Sequence, residues 1–168
     1  GANVHLAARS TAALEEAATE IRKKYKVKAT VHTIDLSVTA NTVALGEECG
    51  NVDILVNNAG AIPQGSLTQL TDEKWRKSWD LKVFGCINLT REIYGPMCER
   101  GKGVIINIVG LSGDRPDAHY IAGRSATAPD TIVAAVPANS SDGGPSAVDQ
   151  RRVVDPSRKV DEVLDLAL

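Results

Sequence analysis

Apolar residues recur along this chain in two rhythms, and the two alternate. Residues 2–8 (ANVHLAA), 28–34 (KATVHTI), 52–57 (VDILVN) and 103–109 (GVIINIV) are short runs that read as strands. The last two are apolar enough for strands buried on both faces. Between the runs the spacing becomes helical. Leu14, Ala18, Ile21 and Tyr25 share one face of a helix predicted from Thr11 to about Tyr25, with Ser10 as its N-cap. A short helix is predicted around 40–49. Trp75, Trp79, Val83, Cys86, Thr90, Ile93 and Met97 recur at three- and four-residue steps and predict a long helix over 72–97. Thr71 can cap it, Leu70 can staple onto Trp75, and Gly95-Pro96 is predicted to kink or end it.

Strands alternating with helices predict an α/β fold with one mostly parallel sheet, the carboxyl ends of all four runs on the same edge. Ligands bind outside that edge in such sheets. The turn NNAG at 57–60, the loop 110–119, Arg9 and Asp35 all belong to it. Asn57 and Asn58 can hydrogen-bond neighbouring backbone, and Gly60 permits close approach. A strand that ends in small polar residues therefore suits a binding turn.

Composition narrows the reading. The chain has 168 residues, 43% of them hydrophobic and 24% charged, which suits one globular domain. The net charge of −2 gives no reason to expect nucleic acid or an anionic membrane as partner. No apolar run approaches the ~18 residues of a membrane helix. Cys49, Cys86 and Cys98 show no metal-ligand spacing and fit a reducing, cytoplasmic setting, so no metal is expected. His5 and His32 read as ordinary strand residues and His119 as a loop residue.

After Tyr120 the character changes. All six aromatic residues lie between Tyr25 and Tyr120, and four of the seven prolines (129, 137, 145 and 156) fall beyond it. Residues 138–146 (ANSSDGGPS) read as a disordered linker. A short helix is expected over 156–168, with Asp155 as cap, Pro156 at its first position and Val160, Val163, Leu164 and Ala167 on one face.

NNAG after a strand, Asp35-Leu36 after the preceding strand, a long helix opening at TDEKW, and INIVG followed by Tyr120 together resemble the short-chain dehydrogenase/reductase family. The resemblance covers residues 1 to about 123 and implies a doubly wound, Rossmann-like sheet. It implies hydride transfer between a nicotinamide dinucleotide and a carbonyl or secondary alcohol, hence a small-molecule substrate. By that resemblance Asp35 and Leu36 would border the adenine, and Asn58, Ala59 and Gly60 the adjoining ribose. Arg9-Ser10 stands where the family chooses its cofactor. A guanidinium there suits a ribose 2′-phosphate, so NADP is expected rather than NAD. Tyr120 would be the catalytic tyrosine, its phenol needing a nearby cation to titrate below its usual ~10.

The resemblance also has gaps. Arg124 stands where the family has a lysine, and arginine does not readily release a proton. Gly110 occupies the place of the polarising serine, for which Ser112 is the candidate substitute. Lys82 replaces an asparagine on the long helix and could supply the positive charge instead. The family's first strand and its TGxxxGxG turn would precede Gly1, between strands 2–8 and 52–57 in space, which leaves the sheet incomplete. Residues 124–168 match nothing in the family and are expected to derive from another reading frame and to lack fixed packing. The reading is thus a partial domain, 1–123, followed by a divergent tail. The alternative is a non-catalytic remnant that at most binds or dimerises, with helix 72–97 as the surface for a homo-oligomer.

Overall fold

Ser10 separates the first strand from the first helix. In a computed structural model, which describes residues 1–60, 63, 65, 68–108 and the backbone of 132–136, strand β1 covers Val4–Ala8 and helix α1 covers Thr11–Tyr25. The Ser10 side chain accepts the Ala13 N–H at 3.4 Å, satisfying one amide that the helix itself cannot pair. Lys26 closes the helix in a left-handed conformation, φ 58°, its N–H on Arg22 O. Arg22, Lys23 and Lys24 in the last turn complement the helix dipole. Leu14 and Ala18 are buried as the spacing predicts, whereas Tyr25, at the end of the same stripe, is 58% exposed.

The remaining elements follow in the predicted order. They are β2 (Ala29–Thr33), α2 (Thr39–Cys49), β3 (Ile54–Asn57), α3 (Asp72–Trp79), a π-helical segment at Asp80–Gly85, α4 (Cys86–Arg100), β4 (Gly103–Asn107) and β5 (Ile132–Val136). The strands alternate with helices, and β1–β2 and β3–β4 are parallel pairs. The expected single sheet is corrected in one respect. Among the described residues the strands form two ladders, β1-β2 and β3-β4-β5, with no hydrogen-bonded strand in common. Side chains bridge them instead. Leu36, Leu45, Cys49, Leu55, Leu89, Ile93, Met97 and Ile105 make one core cluster, with Ala7 and Ile34 packed against it. Core packing at ~25 cal/mol per Å² of apolar surface thus joins what the backbone does not.

Strand β3 also departs from the sequence reading. Leu55 and Asn57 are buried, but Val56 between them is 50% exposed, so only one face of this strand is covered. The expected two-sided burial holds better for β4, where Gly103, Ile105 and Ile106 are buried.

The long helix is interrupted where the pattern showed continuity. Asp80–Gly85 winds as a π-helix, and the extra residue per turn rotates the helix that follows. The buried line is therefore Ser78, Gly85, Leu89, Ile93 and Met97, and only the last two belong to the predicted stripe. Thr71 caps α3 as expected, accepting the Lys74 N–H at 3.4 Å. Pro96 does not end α4. The helix continues to Arg100 and stops at Gly101, whose φ of 64° suits a residue without Cβ and whose N–H returns to Cys98 O.

Strand β5 lies within the stretch expected to lack fixed packing. It pairs antiparallel with β4, Gly103 opposite Val136 and Asn107 opposite Ile132, and so satisfies the second edge of β4. The predicted linker at 138–146 and helix at 156–168 lie outside the described residues.

Candidate active site at the carboxyl edge

Four chain segments leave the strands on one side. Arg9 and Ser10 follow β1, Ile34, Asp35 and Leu36 follow β2, Asn58, Ala59 and Gly60 follow β3, and Ile108 follows β4. The parallel registers hold these ends together in pairs, Ala8 opposite Thr33 and Asn57 opposite Asn107.

Asp35 is the most committed of them. Its Oδ1 accepts the Ser37 N–H at 2.9 Å and the Ser37 hydroxyl at 2.7 Å, and its carbonyl accepts from Asn41 Nδ2 at 2.9 Å. The Ser37 amide and then its hydroxyl hold the Asp35 carboxyl below the usual carboxylate range, and the charges of Arg9 and Lys77 lower it further. The sequence reading placed Arg9 and Asp35 together. It missed Lys77, which α3 brings in, and Ser37, which the Asp-x-Ser spacing of a side-chain turn could have signalled.

Ser10 is occupied as the cap of α1. Next to it, the Thr11 and Thr33 hydroxyls lie 3.0 Å apart and tie the ends of β1 and β2. The Leu36 side chain belongs to the buried core and is turned away from ligand chemistry at this edge. The Leu36 carbonyl is also approached closely by the π-helical segment: a Cβ on Gly85 would lie 2.6 Å from it.

The NNAG turn divides its labour. Asn57 is buried, and its Nδ2 donates to Thr90 Oγ1 and to Asn107 Oδ1, each at 2.9 Å. It therefore ties β3 to β4 and α4. Asn58 and Gly60 are exposed, and Ala59 packs against the core. Lys82 crosses this turn. A Cβ on Gly60 would lie 2.9 Å from Lys82 Cδ, and Lys82 Nζ donates to Ile108 O at 2.7 Å. The π-helical segment thus delivers a cation between the NNAG turn and the end of β4. Such segments recur at functional sites.

Tyr120, Ser112 and Arg124 lie outside the described residues, as does His119. Thiol chemistry gains no support here. Burial, more than the opposing charge of Lys82, pushes the Cys86 thiol up and keeps it protonated.

This geometry can bind an anionic, hydrogen-bonding ligand along the edge, with Arg9, Lys77 and Lys82 as cations and the exposed Asn58–Gly60 turn between them. The pattern of the short chain dehydrogenase family matches residues 1–127. The chain belongs to that family. Short chain dehydrogenases are oxidoreductases, and individual relatives illustrate the likeness. The 3-oxoacyl-(acyl-carrier-protein) reductase of Chlamydia muridarum is 29% identical over 132 residues, covering 74% of this chain and 53% of the relative. The crystal structure of L-sorbose reductase from Gluconobacter frateurii, complexed with NADPH and L-sorbose, is 30% identical with a TM-score of 0.70, covering 75% of this chain and 49% of that one. A short-chain dehydrogenase from Sphingobium yanoikuyae in complex with NADPH is 25% identical with a TM-score of 0.68, covering 75% and 51%. The chain spans about half the length of the curated relatives it matches. Among the described residues, no helix is long and apolar enough to cross a membrane.

Proposed function

We propose that this chain provides the adenosine-binding edge, and part of the catalytic side, of an NADP(H)-dependent reductase or dehydrogenase acting on a carbonyl or secondary alcohol. One observation carries the cofactor choice: the paired ends of β1 and β2, Ala8 opposite Thr33, bring Arg9 and Asp35 to the same edge, where the charge of Lys77 is also felt. A lone acidic residue would suit free ribose hydroxyls. Two cations beside it suit a 2′-phosphate, whose oxygens a guanidinium can pair in a fork. The residues fit that half of the dinucleotide. Asn58, Ala59 and Gly60 leave an exposed turn for the ribose, and the missing Cβ of Gly60 admits close approach.

When bound, the nicotinamide supplies or accepts the hydride. This chain's own residues would manage the proton. Tyr120 exchanges it with the substrate oxygen, Ser112 polarises that oxygen, and Lys82 with Arg124 supplies the positive charge that makes a phenol acidic enough. Loss of one such donor typically costs ~100-fold or more in rate. With the serine and lysine positions altered, the 168-residue chain by itself is expected to bind NADPH weakly and to turn over no ketone or aldehyde measurably.

Calorimetry with adenosine 2′,5′-bisphosphate and with adenosine 5′-monophosphate tests the binding edge. The bisphosphate should bind more tightly, and Arg9→Gln should remove about a factor of ten of that preference. Equal affinities in the unaltered chain would overturn the assignment to NADP. Exposed Phe84, Ile87 and Tyr94, spaced along one side of α4 and its approach, favour a homo-oligomer through this helix. Light scattering checks this, a monomer at all concentrations counting against it.

A further inference from the structure

Away from the carboxyl edge, three side chains that sequence spacing kept apart converge. In the parallel register Ala7 lies opposite His32 and His5 opposite Thr30. His5 and Ala7 are two apart on one strand, so His5 and His32 project from the same face, one step apart on the diagonal. Helix α2 ends over that face with Cys49 as its last residue. His5 Nδ1 lies 2.9 Å from His32 Nε2, and Cys49 Sγ lies 3.4 Å from the first and 3.9 Å from the second.

We propose that His5, His32 and Cys49 form a binding site for a borderline-soft divalent cation of the zinc type, with a fourth position left for water. Zinc bonds of ~2.0–2.1 Å to imidazole nitrogen and ~2.3 Å to thiolate imply ligand-to-ligand edges of about 3.3–3.6 Å in a tetrahedron. The three observed separations, 2.9, 3.4 and 3.9 Å, bracket those edges. Two nitrogens and one sulfur are the donors such a cation prefers over harder ions.

The surroundings complete the site. Glu48 Oε2 lies 3.4 Å from His32 Nδ1, on the ring nitrogen that faces away from the cluster. A carboxylate there orients the ring and keeps the proton on Nδ1, which frees Nε2 as a ligand. His32 and Cys49 are buried, whereas His5 is exposed, so the ion has a way in from solvent. With the His32 proton on Nδ1, the metal-free pair is completed by His5 Nδ1–H donating to His32 Nε2 across the 2.9 Å separation. On binding, His5 carries its proton on Nε2 instead, the Cys49 thiol releases one proton to water, and the cation accepts the three freed lone pairs. The ion would pin the β1-β2 ladder to the end of α2, and so to the core shared with the other ladder. This site stands independently of the cofactor edge.

Cobalt(II) titration of the full, reduced and chelator-stripped 168-residue chain is the direct test. Tetrahedral thiolate coordination should appear as a visible d–d absorption and a sulfur-to-cobalt charge-transfer band, saturating at one ion per chain and bleached by Zn²⁺. Cys49→Ser and His32→Asn should abolish the charge-transfer band, and Cys86→Ser and Cys98→Ser should leave it. Because His5 is exposed, His5→Gln should keep the circular dichroism of the folded chain yet lose the tetrahedral spectrum. Glu48→Gln should weaken binding by ~10–100-fold, as for other outer partners of ligating histidines. Absence of the charge-transfer band in the unaltered chain would overturn the site. So would its persistence in Cys49→Ser, or an unchanged cobalt affinity in folded His5→Gln.

Discussion

Asp35 shows how one residue serves two ends. Its carboxylate organises the turn after β2 through Ser37, and its charge is favoured by the cations Arg9 and Lys77 at the carboxyl edge. The folded pKa lies below the unfolded one, so the ionised form is the one folding favours. The resulting stability is fully present above the unfolded value of ~3.9 and is lost as pH falls through the lowered folded value. Asp35→Asn should therefore lower the thermal midpoint at pH 7, and the gap from the unaltered chain should close between about pH 4 and the folded pKa. Thermal scans from pH 7 to pH 2 check this, and a gap that stays constant would contradict it. Asn57 makes a different point. The sequence marks it as a turn former at the ligand edge, but the fold buries its amide between Thr90 and Asn107, where it contributes to assembly.

At the scale of elements, the π-helical segment decides most. It turns the buried line of α4 away from the predicted stripe and carries Lys82 across Gly60 to Ile108. Two glycines meet this segment with unequal tolerance. A Cβ on Gly85 would lie 2.6 Å from the Leu36 carbonyl, which is backbone and cannot step aside. A Cβ on Gly60 would meet Lys82 Cδ at 2.9 Å, part of a flexible side chain that can. Gly85→Ala should thus cost roughly 1–3 kcal/mol through overpacking, less what alanine gains in helix propensity. Gly60→Ala should cost less stability but displace the ammonium from Ile108. Denaturant unfolding of the two variants ranks them, and a larger loss for Gly60→Ala would refute the account. A third close approach, between Gly46 of α2 and the Glu92 side chain of α4, sets the spacing of those two helices in the same way.

Across the whole molecule, two ladders are held by one core, and β5 covers the free edge of β4. Residues 124–168, read from the sequence as matching nothing in the family, are expected to lack fixed packing, which would make their removal neutral for stability. The pairing of Ile132–Val136 with Gly103–Asn107 reverses that expectation. A chain ending at Arg124 exposes the backbone groups of a central strand, so its unfolding midpoint should drop measurably. An unchanged midpoint would show that β5 adds nothing to the fold. The apolar stretch Ile132-Val133-Ala134-Ala135-Val136 was available in the sequence as a strand signal. The prolines on both sides of it masked the pattern.

Local signals were enough for the strand–helix order through β4, because hydrophobic period and capping are local. Ser10 and Thr71 act within one helical turn, and period-two and period-3.6 patterns separate strand from helix over a few residues. The motifs also pointed to the family, and the direction of the parallel strands, which follows from their helical connections, pointed to the edge on which the candidate site is proposed. The rest depends on how distant segments pack. A π-turn shifts a helix face by a backbone choice that side-chain spacing does not encode. The division into two ladders depends on which strand edges meet. Cys49 reaches His5 across 44 positions of chain, and Asn88 reaches Thr39 across 49, through packing of elements that share no local pattern. Contacts between residues so far apart are set by the sum of core packing, and no short stretch of sequence contains that sum.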